Sequence, residues 1–406
     1  MLRLPRSACL WFTLPLTAQT VLTVGPGGYA QIQTAINAAS NGDVIVVQGG
    51  SYAPFVLAKD LTLVAAPGAL VEVRQSTPGL GTTDLHPPTL AHLRGLRFRN
   101  TVSFFLSIQT RVTGGTVHLA DCVFESFAAQ GQAALAIDHA AVVMQRCAAF
   151  GAGVTAVGAS IGSLGGDGVH VTSGSLAASD CWFFGSNLTL EVSGTGGHGV
   201  VADAAFVQLA NCRAFGGANS ALVSSYPAGN GVRVLSDSDV FLADCWVASG
   251  NAHSYAGAAA LVNLGTVPVQ LARTTLSPGP GTPPGPGSLG PVANAPLCGL
   301  APGTPPPQLG APWPVGVRTT PTTPVLLCWS PRLAVSSDPL LAERLWLAPA
   351  TTSIAAFGLT DATGALDWTF VVPASTSLLY SSAFVQAFAA SSLPLRASVA
   401  IGGVLQ

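Results

Sequence analysis

The feature that most constrains this chain is a periodic motif: apolar-x-apolar-x-x-Cys-x-apolar. It occurs as Val117, Leu119, Cys122, Phe124 and as Val142, Met144, Cys147, Ala149. It returns as Leu176, Ala178, Cys181, Phe183, as Val207, Leu209, Cys212, Ala214, and as Val240, Leu242, Cys245, Val247. Flanking copies carry Thr274 or Leu96 in the Cys slot, and Leu61, Leu63, Ala66 is a further copy. The step between copies is 25 to 34 residues. Within a copy the alternation of apolar residues has the period of a strand, and the two-residue gap before Cys breaks it and implies a bend. Short strands repeating at this length with no helical pattern predict stacked β-coils about 4.8 Å apart. The five cysteines then form one inward column of buried, reduced thiols, because parallel in-register side chains point the same way rather than at each other. The fold class is therefore all-β, a parallel β-helix.

A solenoid must cover its open ends. Tyr29 to Ser40 supplies an N-terminal capping helix, with Ile32, Ala35, Ile36 and Ala39 on one face at helical spacing. Asn41-Gly42-Asp43 ends it, and Val44 to Val47 begins a strand. Tyr29 to Ala39, Gly42 to Val47, Gly49-Gly50-Ser51-Tyr52 and Leu61-Thr62-Leu63-Val64 together resemble the opening of pectin-lyase-like proteins. The resemblance covers roughly residues 20 to 276 and implies a right-handed parallel β-helix. That superfamily includes pectate lyases, pectin methylesterases, polygalacturonases and many uncharacterised secreted proteins. One scaffold hosts several chemistries, so the resemblance speaks for fold rather than activity.

The remaining organisation follows from composition. Residues 1–18 read as a signal peptide: Arg3 and Arg6, a short apolar run from Cys9 to Leu16, and Leu16-Thr17-Ala18 as a cleavage site. The solenoid is expected over 19–276. Residues 277–324 hold half of the chain's 30 prolines and read as a stiff linker. Cys298 and Cys328 flank its end and are candidates for a disulfide in an oxidising compartment. Residues 325–406 show short β-like runs, including Leu345-Trp346-Leu347 and Trp368 to Val372, and predict a small antiparallel sandwich. This part resembles the C-terminal modules of secreted bacterial proteins of the planctomycete type. The chain is expected to be secreted or held at the cell surface.

Charged residues make up only 8% of the chain and hydrophobic ones 49%, which excludes a disordered, highly charged chain. No basic run points to nucleic acid, and no apolar stretch is long enough for a membrane-spanning helix. No Asp/Glu cluster suits calcium, no Cys-x-x-Cys or His set suits zinc, and no cofactor motif occurs.

Two groups of residues remain. Gly166-Asp167-Gly168-Val169-His170, Gly197-His198-Gly199 and Asn230-Gly231-Val232-Arg233 align one coil apart. They put Asp167, His198 and Asn230 in one column and His170 and Arg233 in another, which makes Asp167, His170, His198 and Arg233 the catalytic candidates. The Gly-His-Gly triplet resembles one in polygalacturonases that sits beside an aspartate group. A lone Asp167 cannot fill both acid and base roles, and Gly-x-Gly can equally mark the turn into each coil. The second group follows the cysteines: Trp182, Arg213 and Trp246 should point outward on successive coils. A guanidinium between two indoles gains cation–π attraction of roughly 0.5–1 kcal/mol, and the same residues form a candidate sugar-binding platform. The leading expectation is a secreted or surface β-helix that binds extracellular polysaccharide or acts as an adhesin-like module. The alternative is a polysaccharide lyase or glycoside hydrolase.

Overall fold

The computed structural model describes residues 7–9, 19–75, 82–100, 110–126, 131–152, 165–187, 195–219, 228–251, 257–280, 284–301, 303–390 and 393–406. These form two compact units, one built from Thr20–Leu176 and Asp180–Asn294, the other chiefly from Ala295–Gln406.

The first unit is a parallel β-helix with three sheets. Each coil runs through face I, face II and face III in turn, and every strand pairs with its counterpart one coil away. Among the described residues face I holds eleven strands, from Val21–Val24 to Val292–Asn294. Face II holds nine, from Gly50–Tyr52 to Thr275–Ser277, and face III nine, from Val56–Leu57 to Ser288–Leu289. The repeat motif maps onto the turn from face I to face II. Val117 and Leu119 lie on face I in register with Val142 and Met144, and Phe124 lies on face II in register with Phe98 and Ala149. All are buried, and rings of Phe98 and Phe124 stack at 5.0 Å inside the coil.

The bend before each cysteine has a specific cause. The residue preceding it sits in the left-handed region: Asp121 (φ 54), Arg146 (50), Asp180 (54), Asn211 (51), Asp244 (52), Arg273 (48). Asp and Asn tolerate this conformation better than most residues, and they fill four of the six positions. The side chains then tie adjacent coils together. Arg146 holds Asp121 through two contacts at 2.7 and 3.1 Å, and Arg273 holds Asp244 at 2.7 and 2.8 Å.

The bend also explains the cysteines. The Cys147 Sγ accepts the N–H of Cys122, and the Cys181 Sγ accepts that of Cys147, each at 3.4 Å. The thiols of Cys122, Cys147, Cys212 and Cys245 reach the carbonyl two residues back, as Cys147 does to Gln145 O at 3.2 Å. The column ends on Thr274, whose hydroxyl accepts the Cys245 N–H at 3.5 Å and donates to Leu242 O at 2.9 Å. From Cys122 to Thr274 the slot therefore holds a small group that both accepts and donates, whereas Leu96 fills it in the copy before with apolar volume alone. All five thiols are free and buried, and burial pushes those of Cys122, Cys147, Cys181 and Cys212 well up, so they are poor nucleophiles. Replacing Cys181 by Ala strips the Cys147 N–H of its acceptor and should cost about 1–3 kcal/mol in urea unfolding. Cys181→Ser should cost less, and equal losses for the two variants would contradict the hydrogen-bonding role.

The earliest copy departs from the expected spacing. Leu63 is in register with Leu93, but the face II slot opposite Leu96 is taken by Val71 rather than Ala66, because that corner is longer. At the N-terminal end the helix spans Ile32–Ala38, with Ile32, Ala35 and Ile36 buried. The chain's only lysine caps it: Lys59 Nζ donates to the carbonyls of Ile36, Asn37 and Ala39 at 2.6–3.0 Å.

Strands also occur where proline content predicts a linker. Ser288–Leu289 extends face III and Val292–Asn294 extends face I, so the solenoid unit runs to Asn294 rather than ending at 276. Val292, Ala293 and Asn294 keep the N–H groups that proline lacks. Cys298–Leu300 and Pro312–Thr319 belong to the second unit.

The second unit is made of small sheets that are antiparallel apart from one edge. One orders Ser7–Cys9, Ala365–Val371, Pro312–Thr319 and Cys298–Leu300, with Ser7–Cys9 pairing in parallel to Thr369–Val371. That edge strand comes from the segment expected as a signal peptide. Another sheet is built on Pro324–Ser330 and Ser382–Ala389. Trp313, Trp346, Phe370 and Phe384 fill the interior. The candidate Cys298–Cys328 bridge is not formed: the two thiols are free, buried, and on strands of different sheets. Burial raises the Cys328 thiol to about 11, and the Cys298 thiol further.

Candidate functional site

Face II strands in the middle of the solenoid are three residues long. The central residue points inward, so the first and third share the outer surface. Trp182, Arg213 and Trp246 occupy the first position in direct register. The Arg213 guanidinium carbon lies 4.5 Å from the Trp182 ring centre and 5.7 Å from that of Trp246. The two indoles are 44% and 43% exposed with the guanidinium between them. The expected outward column is thus assembled.

The third position adds a column that reading only the residue after each cysteine misses. Phe150, Phe184 and Phe215 are in register. Phe150 stacks on Phe184 at 4.9 Å, and Phe184 on Phe215 at 5.0 Å. Cross-contacts of 5.9 Å (Trp182–Phe184) and 5.4 Å (Phe215–Trp246) join the two columns into one aromatic strip. The signal was present in Trp182-Phe183-Phe184 and Arg213-Ala214-Phe215, since residues two apart on a strand face the same way.

Toward the N-terminal end, the same surface turns charged. Glu125 lies in the phenylalanine column and is held by Arg97 (3.1 Å through Nε) and by Arg99 (2.9 Å). Arg99 also approaches Glu72 at 3.6 Å. The two carboxylates are engaged by guanidinium groups, the geometry of a structural ion-pair network.

The other candidates converge where the chain enters face III. Asp167 Oδ1 accepts the backbone N–H of His198 at 2.8 Å, and Oδ2 lies 3.3 Å from His170 Nδ1. His198 Nδ1 accepts the Asn230 N–H at 2.9 Å, while its Nε2 lies 3.0 Å from Arg233 Nη1. His170 and Arg233 share a column with Val201 between them. Burial lowers the His198 pKa to about 4; Asp167 opposes the shift, and Arg233 and His170 add to it. Asp167, His170, His198 and Arg233 are thus brought together, around one carboxylate.

The glycines framing these residues have a packing reason. A Cβ on Gly197 would stand 1.9 Å from the carbonyl oxygen of Gly166, and one on Gly229 would stand 1.8 Å from that of Gly197. Backbones of successive coils touch here, so the Gly-x-Gly spacing is explained without catalysis.

A buried pair on face I was also missed. His92 and His118 are in register, with ring centres 5.5 Å apart. Burial lowers the His92 pKa to about 4 and pushes that of His118 well down. The sequence marks them by occupying the same slot in Leu90-Ala91-His92-Leu93 and Thr116-Val117-His118-Leu119.

Among the described residues no group of three or more His, Cys, Asp or Glu side chains is placed to hold a metal ion, and no helix is long and apolar enough to cross a membrane. No protein-family model matches the chain, and no curated protein matches it.

Proposed function

We propose that this is a secreted or surface-exposed β-helix protein of the pectin-lyase-like type that binds extracellular polysaccharide through the outside of face II. One observation carries the reading: Trp182, Arg213 and Trp246 join Phe150, Phe184 and Phe215 in a continuous, partly exposed aromatic strip. Aromatic rings offer large rigid contact area to the C–H surfaces of sugars, and a guanidinium offers paired donors to their oxygens. Indoles two coils apart stand about 10 Å apart by the strand spacing, close to the reach of alternate sugar rings.

The test is a glycan array comparing the native chain with a Trp182→Ala/Trp246→Ala variant. The variant should bind at least tenfold more weakly, a loss of about 1.4 kcal/mol, while remaining folded by circular dichroism. Undiminished binding by a folded variant would refute the platform.

The second reading, a polysaccharide lyase or hydrolase, draws on the convergence of Asp167, His170, His198 and Arg233. It lacks a second carboxylate beside Asp167 to divide acid and base roles. Reducing-sugar and unsaturated-product assays on the same glycans decide it: turnover that disappears in Asp167→Asn would favour the enzyme.

A further inference from the structure

His198 and Arg233 present hydrogen-bond donors that meet no acceptor. His198 Nδ1 accepts the N–H of Asn230 at 2.9 Å, so in a neutral ring that nitrogen carries no proton. A neutral imidazole has one N–H, which must then sit on Nε2. The group facing Nε2 is Arg233 Nη1 at 3.0 Å, and a guanidinium has donors only. Two donors therefore oppose each other at hydrogen-bond distance. Arg233 Nε is buried with no partner. Burial of the ring keeps it neutral near pH 7, its pKa held at about 4.

The other polar groups do not resolve this. Asp167 directs its oxygens at the His198 backbone N–H and at His170, and Asn230 Nδ2 donates to Ala259 O at 2.7 Å. Arg94, Arg97, Arg99, Arg146 and Arg273 in the same solenoid each contact an acidic side chain. Arg233 contacts none among the described residues.

We propose that Arg233 and the Nε2–H of His198 form a binding site for an oxyanion: a carboxylate, sulfate or phosphate group. One oxygen at the apex of a triangle over Nε2 and Nη1 converts the opposed donors into two charge-assisted hydrogen bonds. Asp167 repels the anion and tempers affinity without occupying the donors. The site stands independently of the glycan reading of face II.

The test is imidazole ¹⁵N NMR of the full chain at pH 7, titrated separately with acetate, sulfate and phosphate against a chloride control of matched ionic strength. His198 should show the Nε2–H tautomer, and its signals should shift saturably with at least one anion, with a Kd of about 1 mM or tighter. A preference for acetate assigns carboxylate groups; a preference for sulfate or phosphate assigns tetrahedral esters. Arg233→Met should weaken the response at least tenfold, and Arg233→Lys, which keeps the charge but loses the fork, should fall between. Should Arg233→Met fail to fold, the native titration and Arg233→Lys decide. An Nδ1–H tautomer, no saturable shift with any of the three anions, or a full response in a folded Arg233→Met variant overturns the site.

Discussion

Gly197→Ala is expected to destabilise the solenoid by more than about 4 kcal/mol or to prevent its folding, as only the most disruptive single substitutions do. The added Cβ would meet Gly166 O at 1.9 Å and its carbonyl carbon at 2.7 Å. Those atoms are backbone of the next coil, with Ser186 N at 2.8 Å beside them, so no flexible side chain can yield. Relief requires parting two coils, which breaks ladder bonds such as Gly168 N–H to His198 O at 2.8 Å. Gly42→Ala is the control: no heavy atom lies within 4 Å of its added Cβ, and its cost is limited to the strain of φ +90°. Chemical unfolding and far-UV circular dichroism of both variants check this. Comparable losses for the two would mean that the coils do not touch at Gly197.

Acidification from pH 7 to pH 5 should weaken the solenoid by about 4 kcal/mol through His92 and His198, roughly 2 kcal/mol for each ring. Both rings are buried, with pKa values lowered to about 4 against 6.5 for the free side chain. Between those values the unfolded chain binds protons that the folded chain refuses, so stability is complete above about pH 6.5 and declines as pH falls toward 4. His118, also pushed down by burial, adds in the same direction. Urea midpoints at pH 7, 6 and 5 measure the slope. Replacing His92 with Gln, which does not titrate, should remove roughly 2 kcal/mol of it. A flat profile from pH 7 to 5 would show that these rings are charged or solvated.

Much of the architecture is legible in the sequence, because a solenoid writes each structural column as a spacing. The cysteine slot, its Thr274 variant, the capping helix and the Trp182–Arg213–Trp246 register all follow from aligning copies. What was not legible depended on direction and reach. The bend before each cysteine was readable, but its left-handed residue is variously Asp, Asn or Arg, so identity alone hides the conformation. Phe150, Phe184 and Phe215 escaped a reading confined to the first position of each face II strand. At the face III corner the columns were right, yet the contacts run between them: Asp167 receives the backbone N–H of His198 rather than its ring, and Arg233 reaches back to His198 rather than to His170. Proline content suggested a spacer after residue 276, but Val292–Asn294 retains enough backbone donors to continue the ladder.

The assignment of face II as the glycan-contacting surface is tested most directly by protection of its indoles. The protein, saturated with a glycan selected on the array, is treated with a tryptophan-oxidising reagent and mapped by mass spectrometry. Trp313 and Trp346, at most 1% exposed, serve as unreactive internal references. Trp182 and Trp246 should oxidise readily in the free protein and be protected together when the glycan is bound. Equal oxidation of both with and without saturating glycan would contradict the account.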